Sequence, residues 1–212
     1  MSRNFEVLGK AAPEISLASR PGKPLMAEPV SSSGEYGELI GRLFSSPAAV
    51  AIIGGHRAAN ESGRAERVAG IVGDLARELA VTGKRIIIVD VRALFRLNPI
   101  AAPNETDFVS GDTPNVWLWP APGSQKIEFF KSREAPGVGN WLDSLRRRFD
   151  CVLLDCPAVE GEPGVAEVAA MADASVLVVE AGTTPKQQIQ QEQRALQLKG
   201  AKVAGCILVR RR

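Results

Sequence analysis

Apolar and polar positions along the chain fall into two kinds of segment that take turns. Short, unbroken apolar runs occur at AVAII (Ala49–Ile53), RIIIVD (Arg85–Asp90), VWLWP (Val116–Pro120), FDCVLLDCP (Phe149–Pro157), ASVLVVE (Ala174–Glu180) and AGCILV (Ala204–Val209). Runs of this length without polar alternation predict strands covered on both faces, as in parallel sheets. Between the first two runs the period changes. Val68, Ile71, Val72, Leu75, Ala76 and Leu79 fall on one helical face, while Arg67, Asp74, Arg77 and Glu78 take the other. Thr82-Gly83 ends that helix, so Ala49–Asp90 reads strand, glycine-bearing loop, long helix, strand.

The remaining elements follow from the same two periods. GEYGELIGRLF (Gly34–Phe44) sets Tyr36, Leu39, Ile40 and Leu43 at helical spacing, with Ser33 placed to cap it. Asn140–Arg148 predicts a helix with Trp141, Leu142 and Leu145 inward, Val165–Met171 a helix of small residues, and Ser124–Arg133 a further helix. Pro185 suits a first helical turn, and that helix runs to Lys199 before Gly200. Val91–Asn115 reads as irregular, and Trp117 and Trp119 share one side of their strand. Strands alternate with helices, which predicts right-handed crossovers and an α/β, three-layer fold with a mainly parallel sheet and helices on both faces. Residues 1–33, with Pro13, Pro21, Pro24, Pro29 and Ser31-Ser32-Ser33, read as a flexible tail before one α/β domain at 34–212.

Composition narrows the function classes. A chain of 212 residues that is 45% hydrophobic can build one domain core, and a net charge of +2 gives no general attraction to nucleic acid. Arg146–Arg148 close a predicted helix, where cations favour the macrodipole. Arg210–Arg212 are either a solvated basic tail or a contact for an acidic partner or lipid headgroups. Cys151, Cys156 and Cys206 lack C-x-x-C spacing, and a five-residue separation along a strand points the first two to opposite faces. They read as small buried thiols in a reducing compartment. No signal segment and no apolar stretch near the roughly 20 residues of a spanning helix are visible, so a cytoplasmic location is expected, at the inner membrane only through a partner.

Candidate chemistry concentrates where the first strand meets the long helix. Gly54-Gly55 and the loop HRAANESG, running to Gly63, have the layout of a phosphate loop, in which backbone N–H groups and the helix N-terminus hold phosphates and a Lys neutralises them. No lysine occurs between Lys23 and Lys84. Arg57, Arg64 and Arg67 are candidates to bind phosphate through guanidinium forks, with Gly54, Gly55 and Gly63 shaping the loop, and are otherwise ordinary surface arginines. His56 reads as a solvated loop residue. Asp90 and Asp155 end their strands on the side where open α/β sheets bind ligands; the alternative reading makes them frame residues that cap neighbouring backbone.

Taken together, GEYGELIGRLF, GKRIIIVD, RRRFDCVLLDCP and ADASVLVVEAGTT followed by GCILV resemble, over about Gly34 to Arg210, the cytoplasmic domain of bacterial tyrosine kinases of exopolysaccharide synthesis, members of the partition-type P-loop ATPases. The resemblance implies an ATP fold in which Asp90 and Asp155 handle Mg²⁺ and its waters, and a membrane-embedded polysaccharide co-polymerase or chain-length protein as partner. The chain keeps those two aspartates and departs from the family at other motif positions. The G-K-[ST] step is matched by Arg67, Val68 and Ala69 without a gap, or by Gly63, Arg64 and Ala65 with one, and neither supplies the hydroxyl for Mg²⁺. The D-x-D motif reads Asp90-Val91-Arg92, and Val209 stands where an Asn reads the adenine. Gly37 and Ile40 occupy arginine positions of the E-x-x-R-x-x-R assembly motif, and Tyr36 is the only tyrosine.

Each lost charged hydrogen bond is worth about 1.5–3 kcal/mol. Three such losses move a micromolar site to about millimolar or weaker. The expectation is therefore a degenerate, non-catalytic partner-binding or regulatory component of exopolysaccharide biosynthesis or export. It would need no cofactor, Mg-ATP being the ligand if the site still works, and would bind no nucleic acid. Two alternatives stand: an active ATPase or tyrosine kinase using a loop arginine, and a partition-type positioning ATPase.

Overall fold

A computed structural model describes residues 6–7, 36–44, 48–54, 61–95, 108–119, 138–159, 162 and 164–209, with side chains described for these apart from 6–7, 61–67 and 138–140. In chain order the elements are β1 (Glu6–Val7), α1 (Gly37–Leu43), β2 (Ala48–Gly54), α2 (Glu61–Val81), β3 (Ile86–Asp90), α3 (Val91–Leu94), β4 (Val109–Ser110), β5 (Val116–Trp119), α4 (Val138–Arg148), β6 (Cys151–Cys156), α5 (Val165–Met171), β7 (Ala174–Glu180), α6 (Lys186–Leu198) and β8 (Val203–Val209). All six apolar runs of the sequence are strands of one sheet, ordered β1-β8-β7-β2-β6-β3-β5-β4. The neighbours from β8 through β5 are parallel, and the short β1 and β4 pair antiparallel at the two edges. The three-layer α/β architecture expected from the strand–helix alternation is the one present.

Each central strand feeds both sides of the sheet, because successive side chains point opposite ways. Along β2, Ala49, Ala51 and Ile53 enter one core layer with Trp141, Leu142 and Leu145 of α4 and with Val165, Val168 and Ala169 of α5. Val50 and Ile52 enter the other, against Val68, Ile71, Val72, Leu75, Ala76 and Leu79 of α2 and Leu39 and Ile40 of α1. The six apolar positions read from the helical period are all buried. Cys151 and Cys156 fall in opposite layers, and Trp117 and Trp119 in the same one, as the strand period requires. All three cysteines are free thiols.

Several expectations are corrected. Glu6–Val7, inside the segment read as a tail, pairs with Leu208 and Ile207 and adds an edge strand. The stretch read as irregular contains α3 and β4. Helix α1 starts later than Ser33 suggested, with Tyr36 at its N-cap and no capping side chain; Ser33 lies outside the described residues, as does the helix expected over 124–133. Pro185 is the N-cap of α6 rather than a residue of its first turn.

Candidate functional site

Three parallel strands end side by side at the candidate site. The register pairs Ile52 of β2 with Asp155 of β6, and Asp155 with Asp90 of β3, so the two aspartates are direct neighbours across one strand pair. Both lie on the α2 side by the strand period, since Cys151 and Leu153 of β6 and Ile86 of β3 enter the α2 layer. Gly54 closes β2 on the same face. A Cβ added there would meet Val68 Cγ2 of α2 at 3.2 Å, the carbonyl of Cys156 at 3.8 Å and the amide of Ala158 at 3.9 Å. Glycine thus lets α2 come close to the strand end, where a side chain would press on Val68.

The electrostatics of the pair are uneven. Asp90 is exposed and caps α3, its Oδ1 accepting a hydrogen bond from the Ala93 amide at 2.9 Å. Asp155 is half-buried, and its carboxyl is pushed up to about 7, first by burial and then by the Asp90 charge, while Arg92 pulls it back. The buried Cys156 thiol is raised far above its ordinary range by burial and by the same two carboxylates. Arg92 is half-buried on α3, two residues past Asp90, and α3 packs against β6. Among the described residues, no group of three or more His, Cys, Asp and Glu is placed to hold a metal ion.

The phosphate-loop candidates divide. Gly55, His56 and Arg57 lie outside the described residues. Gly63, Arg64 and Arg67 do not belong to the loop: α2 begins at Glu61, which puts them in its first two turns. That boundary changes the motif reading. Counted from Gly55, the spacing G-x-x-x-x-G-K-[ST] falls on Asn60, Glu61 and Ser62, with Glu61 opening the helix as the lysine does in a phosphate loop. At this placement the lysine position carries an acid and the hydroxyl position is kept, unlike in either placement drawn from the sequence. Counting forward from the glycine pair would have found it. Val209 ends β8, its carbonyl accepting from the Ala181 amide at 2.8 Å. Two strands separate β8 from β6, which puts Val209 about 14 Å from Asp155 across the sheet, and Asp90 lies one strand further.

No family model matches the chain, and no curated protein sequence matches it. Solved structures do. The tyrosine kinase domain of BceF superposes with a TM-score of 0.55 at 18% identity, covering 76% of this chain and 67% of that one. The kinase domain of the Escherichia coli tyrosine kinase ETK gives 0.58 at 15%, covering 83% and 73%. The MinD cell division protein of Aquifex aeolicus gives 0.51 at 16%, covering 76% and 69%. Likeness at these identities is likeness of fold.

Proposed function

We propose that this chain, which has the fold of bacterial tyrosine kinase domains and of partition-type P-loop ATPases, is a non-catalytic member of that architecture that binds a partner in exopolysaccharide assembly. The pathway and the partner, a membrane-embedded polysaccharide co-polymerase contacted from the cytoplasmic side, rest on the sequence resemblance and on fold likeness to tyrosine kinase domains. No described helix is long and apolar enough to cross a membrane, which suits a domain recruited by a partner.

The observation that supports a loss of catalysis is a pair of charge inversions, one at the start of α2 and one just past the end of β3. Glu61 opens α2 where a phosphate-binding lysine is needed, and Arg92 follows Asp90 where the second metal-handling carboxylate is needed. An acid at the first position repels phosphate, and a cation at the second repels Mg²⁺. Both effects act against the same Mg-ATP ligand.

Thermal unfolding with and without Mg-ATP tests this. At about 1 mM nucleotide, an intact site of about 10 μM affinity adds about 2.7 kcal/mol, a millimolar one about 0.4. The first corresponds to roughly 5–10 °C in Tm for a chain of this size, the second to about 1 °C. We expect the small shift. A nucleotide-specific shift above about 4 °C, abolished by Arg64→Ala, overturns the reading in favour of an ATPase or kinase that uses a helix arginine.

A further inference from the structure

The end of the sheet opposite the two aspartates, where helices finish and the parallel strands begin, brings together cations that lie far apart in the chain. A run of contacts makes this end continuous. Lys84 Nζ donates to the carbonyl of Phe44, just past α1, and the neighbouring Arg85 pairs with Asp150 ahead of β6. Arg146 of α4 pairs with Asp173 ahead of β7, and the Ser175 amide of β7 donates to the carbonyl of Lys202 ahead of β8. Asp150 and Asp173 are thereby matched, and Lys199 is matched by Glu167. Arg42, Arg147 and Lys202 are exposed, and among the described residues no acid pairs with them. The acid left unpaired at this end is Asp112, exposed ahead of β5. The same end also holds apolar side chains in water: Val81, the last residue of α2, and Leu198, the last of α6, are 88% and 85% exposed. Helix dipoles account for the cations at the ends of α1 and α4. They account neither for Lys202, which lies outside any helix, nor for two aliphatic tips left in solvent.

We propose that this end of the domain is a contact surface for an anionic lipid bilayer. Cations hold the phosphate-bearing headgroups, and aliphatic tips set among them enter the boundary between headgroups and acyl chains. Duplex nucleic acid would use the cations alone and leave Val81 and Leu198 in water, so the mixture of the two favours a bilayer. The surface lies at the far end of the strands from Asp90 and Asp155, and docking therefore leaves the candidate site facing away from the membrane. A net charge of +2 does not disclose it, because the fold and not the composition sorts the charges. The proposal goes beyond the partner-binding reading: it adds a lipid contact of the chain's own, and it holds whether or not the opposite end takes nucleotide.

Co-sedimentation of the full chain with phosphatidylcholine vesicles, with and without about one quarter phosphatidylglycerol, is the test, with no partner protein and no nucleotide present. Binding is expected only where phosphatidylglycerol is present, and it weakens as salt rises. Each cation near an anionic surface is worth about fivefold in affinity, so Arg147→Glu with Lys202→Glu is expected to lose at least about tenfold. Val81→Ser with Leu198→Ser, at positions already in water, is expected to lose at least about threefold. Circular dichroism confirms folding, and if the glutamate pair fails to fold, Arg147→Gln with Lys202→Gln decides. Equal sedimentation with both kinds of vesicle, unchanged binding in the folded charge variant, or a loss seen only when Arg210, Arg211 and Arg212 are changed to Gln overturns the proposal. So does tighter binding to duplex DNA that is indifferent to Val81→Ser with Leu198→Ser. The two readings fail separately. Absence of vesicle binding leaves the thermal test with Mg-ATP untouched, and a large ATP shift leaves the lipid contact standing.

Discussion

Asp155→Asn should make the protein more stable at pH 8 and nearly neutral in effect at pH 4. The carboxyl's ordinary value of 3.8 is pushed up to about 7, first by burial and then by Asp90. Between those two pH values the folded protein holds a proton that the unfolded chain has released, so the native state binds more protons and stability falls as pH rises through the window. Below about pH 4 both states are protonated and the site costs nothing; above about pH 7 the full cost is present. At about 1.36 kcal/mol per unit, the displacement caps the effect at about 4 kcal/mol. Some of this is recovered by local relaxation, so about 2–4 kcal/mol is expected at pH 8.

Urea unfolding of wild type and Asp155→Asn at intervals from pH 4.5 to 8 measures it, and the difference between the two curves isolates this residue. Asp150 does not interfere. Its carboxyl is held low, chiefly by the side-chain hydrogen bond from Arg85, so its contribution is present above the ordinary value of 3.8 and is lost only as pH falls below that. The expected outcome is a stability difference that grows with pH in favour of the asparagine variant. A difference that stays flat across the range, or a variant less stable at every pH, would show that Asp155 is ionised and well paired at neutrality, and would refute this reasoning.

Two further outcomes are expected. Trp141→Ala should cost about 3–5 kcal/mol, because the ring is fully buried in the core layer under α4 and packs on Trp119 with centroids 5.6 Å apart; chemical denaturation with an unchanged m-value would register it. Asn60→Gly with Glu61→Lys should raise ATP affinity at least about tenfold, whereas Val68→Lys should only destabilise, since Val68 packs against Gly54 in the core; equilibrium binding of a fluorescent ATP analogue separates the two.

The layers of the fold were legible because burial leaves a periodic trace over many residues. The apolar face of α2 and the unbroken strands β2, β3, β6, β7 and β8 each repeat their signal, so one atypical position cannot hide them. Elements too short to repeat a period left none. Strands β1 and β4 have two residues each, and α3 has four, held at its start by a hydrogen bond from the Ala93 amide to Asp90 rather than by an apolar face. The start of α2 was missed for a related reason. The apolar stripe begins at Val68, while the first two turns, from Glu61, carry mainly polar and small residues that give a helical period nothing to mark.

The site was legible residue by residue and illegible as an arrangement. Asp90 and Asp155 are sixty-five positions apart in the chain, and only the β3–β6 register makes them neighbours whose charges must be balanced. Once they are neighbours, Arg92 changes meaning. In the sequence it is a missing carboxylate; in the fold it is a cation whose charge opposes, without cancelling, the upward shift that burial and Asp90 impose on Asp155. The same holds for Glu61, an unremarkable helix residue until α2 is seen to begin with it, one step after the loop that follows Gly55. The residues that make the core lie within the strands and along the faces of the helices, whereas those that would bind a nucleotide lie on the rim where strands stop and helices start. Among the described residues the two sets barely overlap, so the rim can carry Glu61 and Arg92 while the layers beneath keep a fold shared with P-loop ATPases.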